Sequence, residues 1–167
     1  MVNISVNPAK EQCDQILHVV EKLHSRARGA LLFRKGFWYT KDGANARKYA
    51  VAELDLAEGR LVHARDIKDK TPERAVAVAA QAAMKVADAA NAFYKRVNGE
   101  RSLPLEDEMN QVEQVITIFD LPNDQMFELA QKIIQAADRI LDYVVETCPE
   151  PSGCIIFCKR LYSYGSF

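Results

Sequence analysis

The amino-acid sequence predicts an α+β fold. In this prediction an N-terminal helix, an antiparallel meander of three or four strands and a long alanine-rich helix precede an acidic helical pair and a C-terminal strand. Apolar residues recur at intervals of three and four on both sides of the segment 29–67, which is the period of amphipathic helices. Within that segment they form short runs, and the dipeptides Asp-Gly and Glu-Gly between the runs favour tight hairpin turns.

The first predicted helix runs from about Pro8 to Arg26. Asn7 is a good N-cap residue, and proline is well tolerated at the first helical position. The apolar stripe of this helix consists of Ala9, Cys13, Ile16, Val20, Leu23 and Ala27. His18 and His24 have no second ligand or catalytic partner at helical spacing, and we interpret both as surface or flanking residues.

The meander is predicted from four runs with β-type composition. They are ALLF (30–33), FWYT (37–40), KYAVAEL (48–54) and RLVHARDI (60–67). Their connections contain Gly36, Gly43 and Gly59, and glycine readily adopts the positive φ of hairpin turns. We therefore expect antiparallel pairing of successive strands.

The long helix is predicted from Thr71, its N-cap, to the Asn98–Gly99 dipeptide, a typical C-terminal stop. Proline follows the cap directly, and alanine and valine dominate the sequence thereafter. At 1.5 Å per residue the helix would be about 40 Å long, longer than the predicted strands. Its surplus surface is expected to pack on the second half of the chain or on a second copy.

The second half of the chain is acidic, with a formal charge of −9 over residues 100–150. A helix is predicted from about Leu105 to Phe119, and another begins at Pro122–Asn123. Residues 154–164 (CIIFCKRLYSY) are predicted to form a last strand. We predict two parts within one compact domain: an α-β-meander-α subdomain (1–99) and an acidic helical hairpin with the C-terminal strand (100–167).

The segment 22–48 is the strongest indication of function. Its formal charge is +7 in a chain of net charge −1, and it contains the only tryptophan. Cations and aromatic rings suit macromolecular interfaces, in which arginine and tryptophan are enriched. We predict that a basic aromatic β-hairpin forms the binding surface. The predicted contact residues are Arg34, Lys35, Trp38, Lys41, Arg47 and Lys48.

The predicted function is that of a non-catalytic binding or regulatory protein, such as an adaptor or an inhibitor. Nucleic-acid binding through the same surface is one alternative, since cations and aromatics also bind phosphates and bases. An enzyme with an unrecognised site is another, although the sequence has none of the common catalytic motifs. Neutralisation of the basic segment by the acidic half, within or between subunits, would compete with any external ligand.

We expect a protein partner more than nucleic acid, a homo-oligomer, and no membrane association. A cytoplasmic location is expected because the N-terminal residues lack the pattern of a signal peptide. No cofactor is predicted. Cys148, Cys154 and Cys158 have no nearby histidine to complete a zinc site, so the cysteines are interpreted as small buried hydrophobes.

Overall fold

The computed structural model describes residues 8–33 and 41–148, and this part of the chain forms a bundle of helices without strands. The α-helices are α1 (Pro8–Leu32), α2 (Lys41–Ile67), α3 (Pro72–Val97), α4 (Glu106–Glu113) and α5 (Asn123–Thr147). A 3-10 segment, Gln114–Asp120, continues α4. None of these helices is long and apolar enough to cross a membrane.

The predicted α+β fold with a β-meander is wrong. Residues 30–32 end α1, and the runs 48–54 and 60–67 both lie within α2. The remaining predicted strands, 37–40 and 154–164, lie outside the described residues. The physical reason is an apolar stripe at helical spacing, each member of which is at most 2% exposed. It consists of Ala46, Ala50, Leu54, Ala57, Leu61 and Ala64.

The centre of the bundle is α3, which contacts every other helix. Its buried residues occur almost all the way around the helix, and most of them are alanine or valine. Small side chains let neighbouring backbones approach closely, so α1, α2, α4 and α5 can all pack around α3. The predicted limits of this helix are confirmed, since it begins at Pro72 and its C-cap is Asn98.

Two contacts show that α3 and α5 run in the same direction. The rings of Tyr94 and Tyr143 lie 6.0 Å apart, and the Asn98 side-chain amide donates to the sulfur of Cys148 at 3.5 Å. Helix α4 runs back along α5, with Arg139 3.9 Å from Glu108. The predicted acidic helical pair is therefore present, although its first helix becomes a 3-10 helix after Glu113.

Helices α1 and α2 are antiparallel and are joined by ion pairs and one buried hydrogen bond. The His24 Nε2 atom lies 2.9 Å from the carbonyl oxygen of Leu54, and His24 is only 8% exposed. The interpretation of His24 as a surface residue is therefore wrong. The ion pairs between the two helices are Lys10–Asp69 (3.1 Å), Asp14–Lys68 (3.3 Å), Glu21–Arg65 (3.7 Å) and Arg28–Asp55 (3.7 Å).

The glycines explain part of the wrong prediction. Gly59 is an exposed residue within α2, and a Cβ atom there would meet no other atom within 4 Å. Gly99 follows α3 with φ of +63°, and the N–H of Glu100 donates to the carbonyl of Lys95 at 2.7 Å. That bond is typical of a Schellman turn, in which the left-handed residue is usually glycine. Of these two glycines, Gly99 alone has the positive φ of a turn, whereas Gly59, for which the sequence suggested such a turn, is helical.

We predict opposite effects of alanine at these two glycines. Gly59→Ala is expected to stabilise the protein by about 0.5–1 kcal/mol, because alanine is the better helix former. Gly99→Ala, the matched control, is expected to destabilise it by about 1 kcal/mol, because a Cβ is disfavoured at positive φ. Urea unfolding followed by circular dichroism measures both. A destabilised Gly59→Ala variant would instead indicate a turn at residues 57–60.

Candidate functional site

The structure does not form the predicted basic aromatic hairpin. Residues 30–32 belong to α1, and Lys41, Arg47 and Lys48 lie in the first two turns of α2, so the segments on both sides are helical. Arg47 is half-buried and Lys48 is exposed, while the side chain of Lys41 lies outside the described part. Arg34, Lys35 and Trp38 also lie outside the described residues. The six predicted residues are therefore not shown to share one surface.

Part of the basic segment is paired with the acidic half of the chain. The guanidinium group of Arg26 on α1 lies 2.8 Å from a carboxylate oxygen of Asp138 and 2.8 Å from one of Asp142, both on α5. Arg28 is 3.7 Å from Asp55 on α2. These side chains are between one-third and two-thirds exposed, so each pair contributes little to stability. The competing explanation, internal neutralisation, is thus observed for Arg26.

A groove runs between α1 and α5, and we name it the α1/α5 groove. The two helices are parallel and contact each other much less than either contacts α3. Two adjoining cavities of about 410 and 400 Å³ fill the space between them and share three lining residues: Val19, Ile134 and Gln135. The floor is apolar, because Ile16, Leu23 and Ile134 are at most 7% exposed. Val19 is 49% exposed at the centre of the groove.

The walls of the α1/α5 groove carry carboxamides along most of its length. Two come from each helix: Gln12 and Gln15 from α1, and Gln131 and Gln135 from α5. Charged residues line only the end near Arg26, where Lys22 and Asp138 are also present. A carboxamide both donates and accepts hydrogen bonds. This groove can therefore bind an apolar surface with uncharged polar edges.

A second surface is the stripe of α3 between α2 and α4, which do not contact each other. Its residues are half-buried and recur at helical spacing: Gln81, Met84, Lys85, Asp88, Asn91, Ala92 and Lys95. Near its middle the ammonium group of Lys85 lies 3.4 Å from Glu53 Oε2 and 3.8 Å from Asp88 Oδ2. Burial raises the pKa of Asp88 from the ordinary 3.8 to about 6, and the Glu53 and Glu113 carboxylates add to this effect while Lys85 opposes it.

The two cysteines that the structure describes are buried in the bundle. Cys13 and Cys148 are both buried, as the sequence predicted, while Cys154 and Cys158 lie outside the described residues. Burial and the neighbouring Asp14 carboxylate raise the pKa of the Cys13 thiol to about 11, which disfavours the reactive thiolate at neutral pH. Within residues 8–33 and 41–148 no group of three histidine, cysteine or acidic side chains is placed to hold a metal ion.

No family model, curated protein or solved structure matches this chain. Function must therefore be inferred from the surfaces of the bundle. The glutamines of the α1/α5 groove were not predicted as functional residues. A usable signal was present, because a glutamine pair at helical spacing flanks the apolar stripe on both helices: Gln12 and Gln15 in the first, Gln131 and Gln135 in the second.

We predict that protonation of Asp88 stabilises the fold. Its pKa is higher in the folded protein than in the unfolded chain, so this contribution is fully present below pH of about 4 and is lost as the pH rises through about 6. Asp88→Asn should therefore increase the free energy of unfolding at neutral pH. The expected gain is about 1–2 kcal/mol, allowing for solvent screening of a side chain that is 34% exposed.

Urea unfolding of both proteins between about pH 5 and pH 7.5 measures the effect. The Asp88→Asn variant should lose less stability than the wild type over this range. Asp66→Asn, at an exposed position of α2, serves as the control and should leave the wild-type pH dependence unchanged. Loss of stability in Asp88→Asn at neutral pH would show instead that the ionised carboxylate supports the fold.

Proposed function

We propose that this protein is a non-catalytic interaction protein whose binding surface is the α1/α5 groove, and that the groove is occupied by a second copy of the chain. The observation that supports this most is the position of Val19. This apolar side chain is half exposed over a buried apolar floor, between walls of glutamine. Covering it with an apolar side chain of a partner would remove that surface from water, which favours association.

The dimensions of the groove suit a helix. The lining residues of α1 extend from Gln12 to Arg26, which corresponds to about 20 Å along a helix axis. Helix-in-groove binding places an apolar helix face into such a channel and fixes it by polar contacts at the edges. The exposed side of α1 itself presents Val19 to the partner, so one copy supplies the type of surface that the other receives.

A second copy is the preferred occupant because the lining of the groove is self-complementary. In a two-fold symmetric interface the same patch lies on both sides, so like charges of a single sign would repel each other. Here the polar lining consists of carboxamides, which donate and accept, and of charges of both signs at one end. At that end Asp138 already contacts Arg26 of its own subunit at 2.8 Å, and Lys22 can approach the same carboxylate across the interface or within one subunit.

The structure favours a protein partner over nucleic acid for a specific reason. Arg26 and Arg28 belong to the basic segment that would contact phosphates in a nucleic-acid binder. In the fold they face carboxylates of α5 and α2 instead. Phosphate binding would have to compete with these ion pairs. A partner that binds the uncharged part of the α1/α5 groove does not have to break any ion pair there.

We predict that light scattering in solution gives a mass twice the 18.8 kDa of the chain. Val19→Glu should give a monomer, because pairing would place a carboxylate from each copy in an apolar interface. Val62→Glu is the matched control, since Val62 is also a valine on a helix, at 48% exposure against 49% for Val19. It should remain dimeric, and both variants should retain the helical circular-dichroism signal of the wild type.

The possible results distinguish the occupants of the groove. A wild type that is monomeric at every concentration tested overturns self-association. A Val19→Glu variant that dimerises as strongly as Val62→Glu overturns the assignment to the α1/α5 groove. A monomer that binds a synthetic amphipathic helix with uncharged polar edges, and loses this binding on Val19→Glu, assigns the groove to a different protein and overturns the second copy as its occupant.

A further inference from the structure

Helix α4 is short and has few anchors. It consists of eight residues, Glu106–Glu113, and a helix of this length is marginal in water unless other elements support it. Val112 is its only buried residue. Residues 98–105, which precede it, are not helical, and the 3-10 segment Gln114–Asp120, which follows it, is longer than most 3-10 helices. Both flanking segments can therefore act as hinges.

Helix α4 is also strongly acidic, since four of its eight side chains are carboxylates and none is basic. Glu106, Asp107 and Glu108 lie in the first turn, where the helix dipole favours negative charge. Arg139 of α5 lies 3.9 Å from Glu108. Glu113 is exposed and is the last residue of the helix, where the dipole disfavours an acid. The negative charge of α4 is thus least compensated at Glu113.

Beside α4, one lysine of α3 faces the carboxylates of two helices. The ammonium group of Lys85 lies 3.4 Å from Glu53 Oε2 on α2 and 3.8 Å from Asp88 Oδ2. Both distances exceed the length of about 2.8 Å that is typical of a charged hydrogen bond. The buried Glu53 Oε2 atom accepts no hydrogen bond from the residues that the structure describes. With Glu113 added from α4, three carboxylates compete for one ammonium group, which leaves an excess of negative charge when all are ionised.

Protonation of Asp88 controls this excess of charge. Burial is the largest cause that raises the pKa of Asp88 from 3.8 to about 6, followed by the Glu53 carboxylate, with Glu113 adding to the effect and Lys85 opposing it. Moving α4 away from α3 would return water to Asp88 and remove the Glu113 charge, so the pKa of Asp88 would fall towards 3.8. The contribution of Asp88 to the docking of α4 is therefore fully present below pH of about 4 and is lost as the pH rises through about 6.

We propose that α4 is a proton-controlled flap, which stays docked on α3 while Asp88 is protonated and is released more often once Asp88 is ionised. Residues 98–105 and Gln114–Asp120 are its hinges. Release uncovers Val112 and opens the stripe of α3 between α2 and α4 to water. The residues that line the α1/α5 groove come from α1 and α5, so this device goes beyond the proposed function.

Hydrogen exchange followed by mass spectrometry tests the proposal at about pH 5 and pH 7.5, with rates corrected for intrinsic exchange at each pH. We expect the protection of the α4 amides to fall about five- to tenfold at the higher pH, tenfold being the limit if release restores the ordinary pKa of Asp88. The fall should be the same in about 1 M urea, because a local opening exposes little surface. Amides at the centre of α5, which exchange through global unfolding, should instead respond to urea.

Three variants identify the groups that control the flap. Asp88→Asn, which mimics the protonated acid, should keep α4 as protected at pH 7.5 as at pH 5. Glu113→Gln should leave a smaller change, of about threefold or less, because one repulsive charge is removed. Asp107→Asn is the matched control, since it removes the same charge from an exposed position on another face of α4, and it should behave like the wild type.

Three results would overturn the proposal. The first is equal protection of the wild-type α4 amides at both pH values. The second is protection of α4 that follows that of α5 in both pH and urea, because Asp88 would then act only on the unfolding of the whole chain. The third is an Asp107→Asn variant that responds like Glu113→Gln, which would show an effect of net charge alone. Val19→Glu should keep the pH dependence of the wild type, so the flap and the α1/α5 groove are tested independently.

Discussion

The close packing of alanine on α3 is the constraint on which the rest of the structure depends. Ala79, Ala83, Ala87 and Ala90 are fully buried, and a larger side chain at these positions would push a neighbouring helix outward. Alanine itself contributes little apolar area, so the large side chains of the core come chiefly from the surrounding helices. Leucines of α1 and α2 and isoleucines of α5 pack onto α3. Phe93, near the C-terminal end of α3, is the large buried side chain that this helix itself contributes.

This central helix also determines where the candidate sites lie. Helices α1 and α5 both pack on α3 but contact each other little, which leaves the α1/α5 groove between them. On the other side α2 and α4 remain apart, and the half-buried stripe of α3 between them carries five charged or polar residues: Gln81, Lys85, Asp88, Asn91 and Lys95. Asp88 lies in this stripe, where burial raises its pKa and the carboxylates of Glu53 on α2 and Glu113 on α4 add to the effect. One packing arrangement thus produces both surfaces.

The sequence predicted α3 and α5 well because local signals mark their ends. Pro72, Asn98–Gly99 and Pro122–Asn123 act through the local backbone and, at Asn98, through a side-chain hydrogen bond to the Tyr94 carbonyl, so a single sequence reveals them. In α2 the stripe from Ala46 to Ala64 is made mostly of alanine. Its three-four spacing was hard to recognise because other apolar residues, such as Tyr49, Val51 and Val62, lie between the stripe positions. Gly43 and Gly59 suggested turns, yet both lie within the helix. Packing of α2 on α3 and α1, a long-range effect, outweighs the helix propensity lost at glycine.

The candidate site was harder to predict because charge is visible in a sequence whereas proximity is not. The basic segment and the acidic half are far apart in the chain, and only the fold brings Arg26 against Asp138 and Asp142. Once such charges oppose each other within one subunit, they attract an external partner less. The glutamine-lined part of the α1/α5 groove has no charges to be neutralised in this way, and it keeps the exposed Val19 over an apolar floor. A binding surface in this bundle is therefore expected where the sequence is least charged.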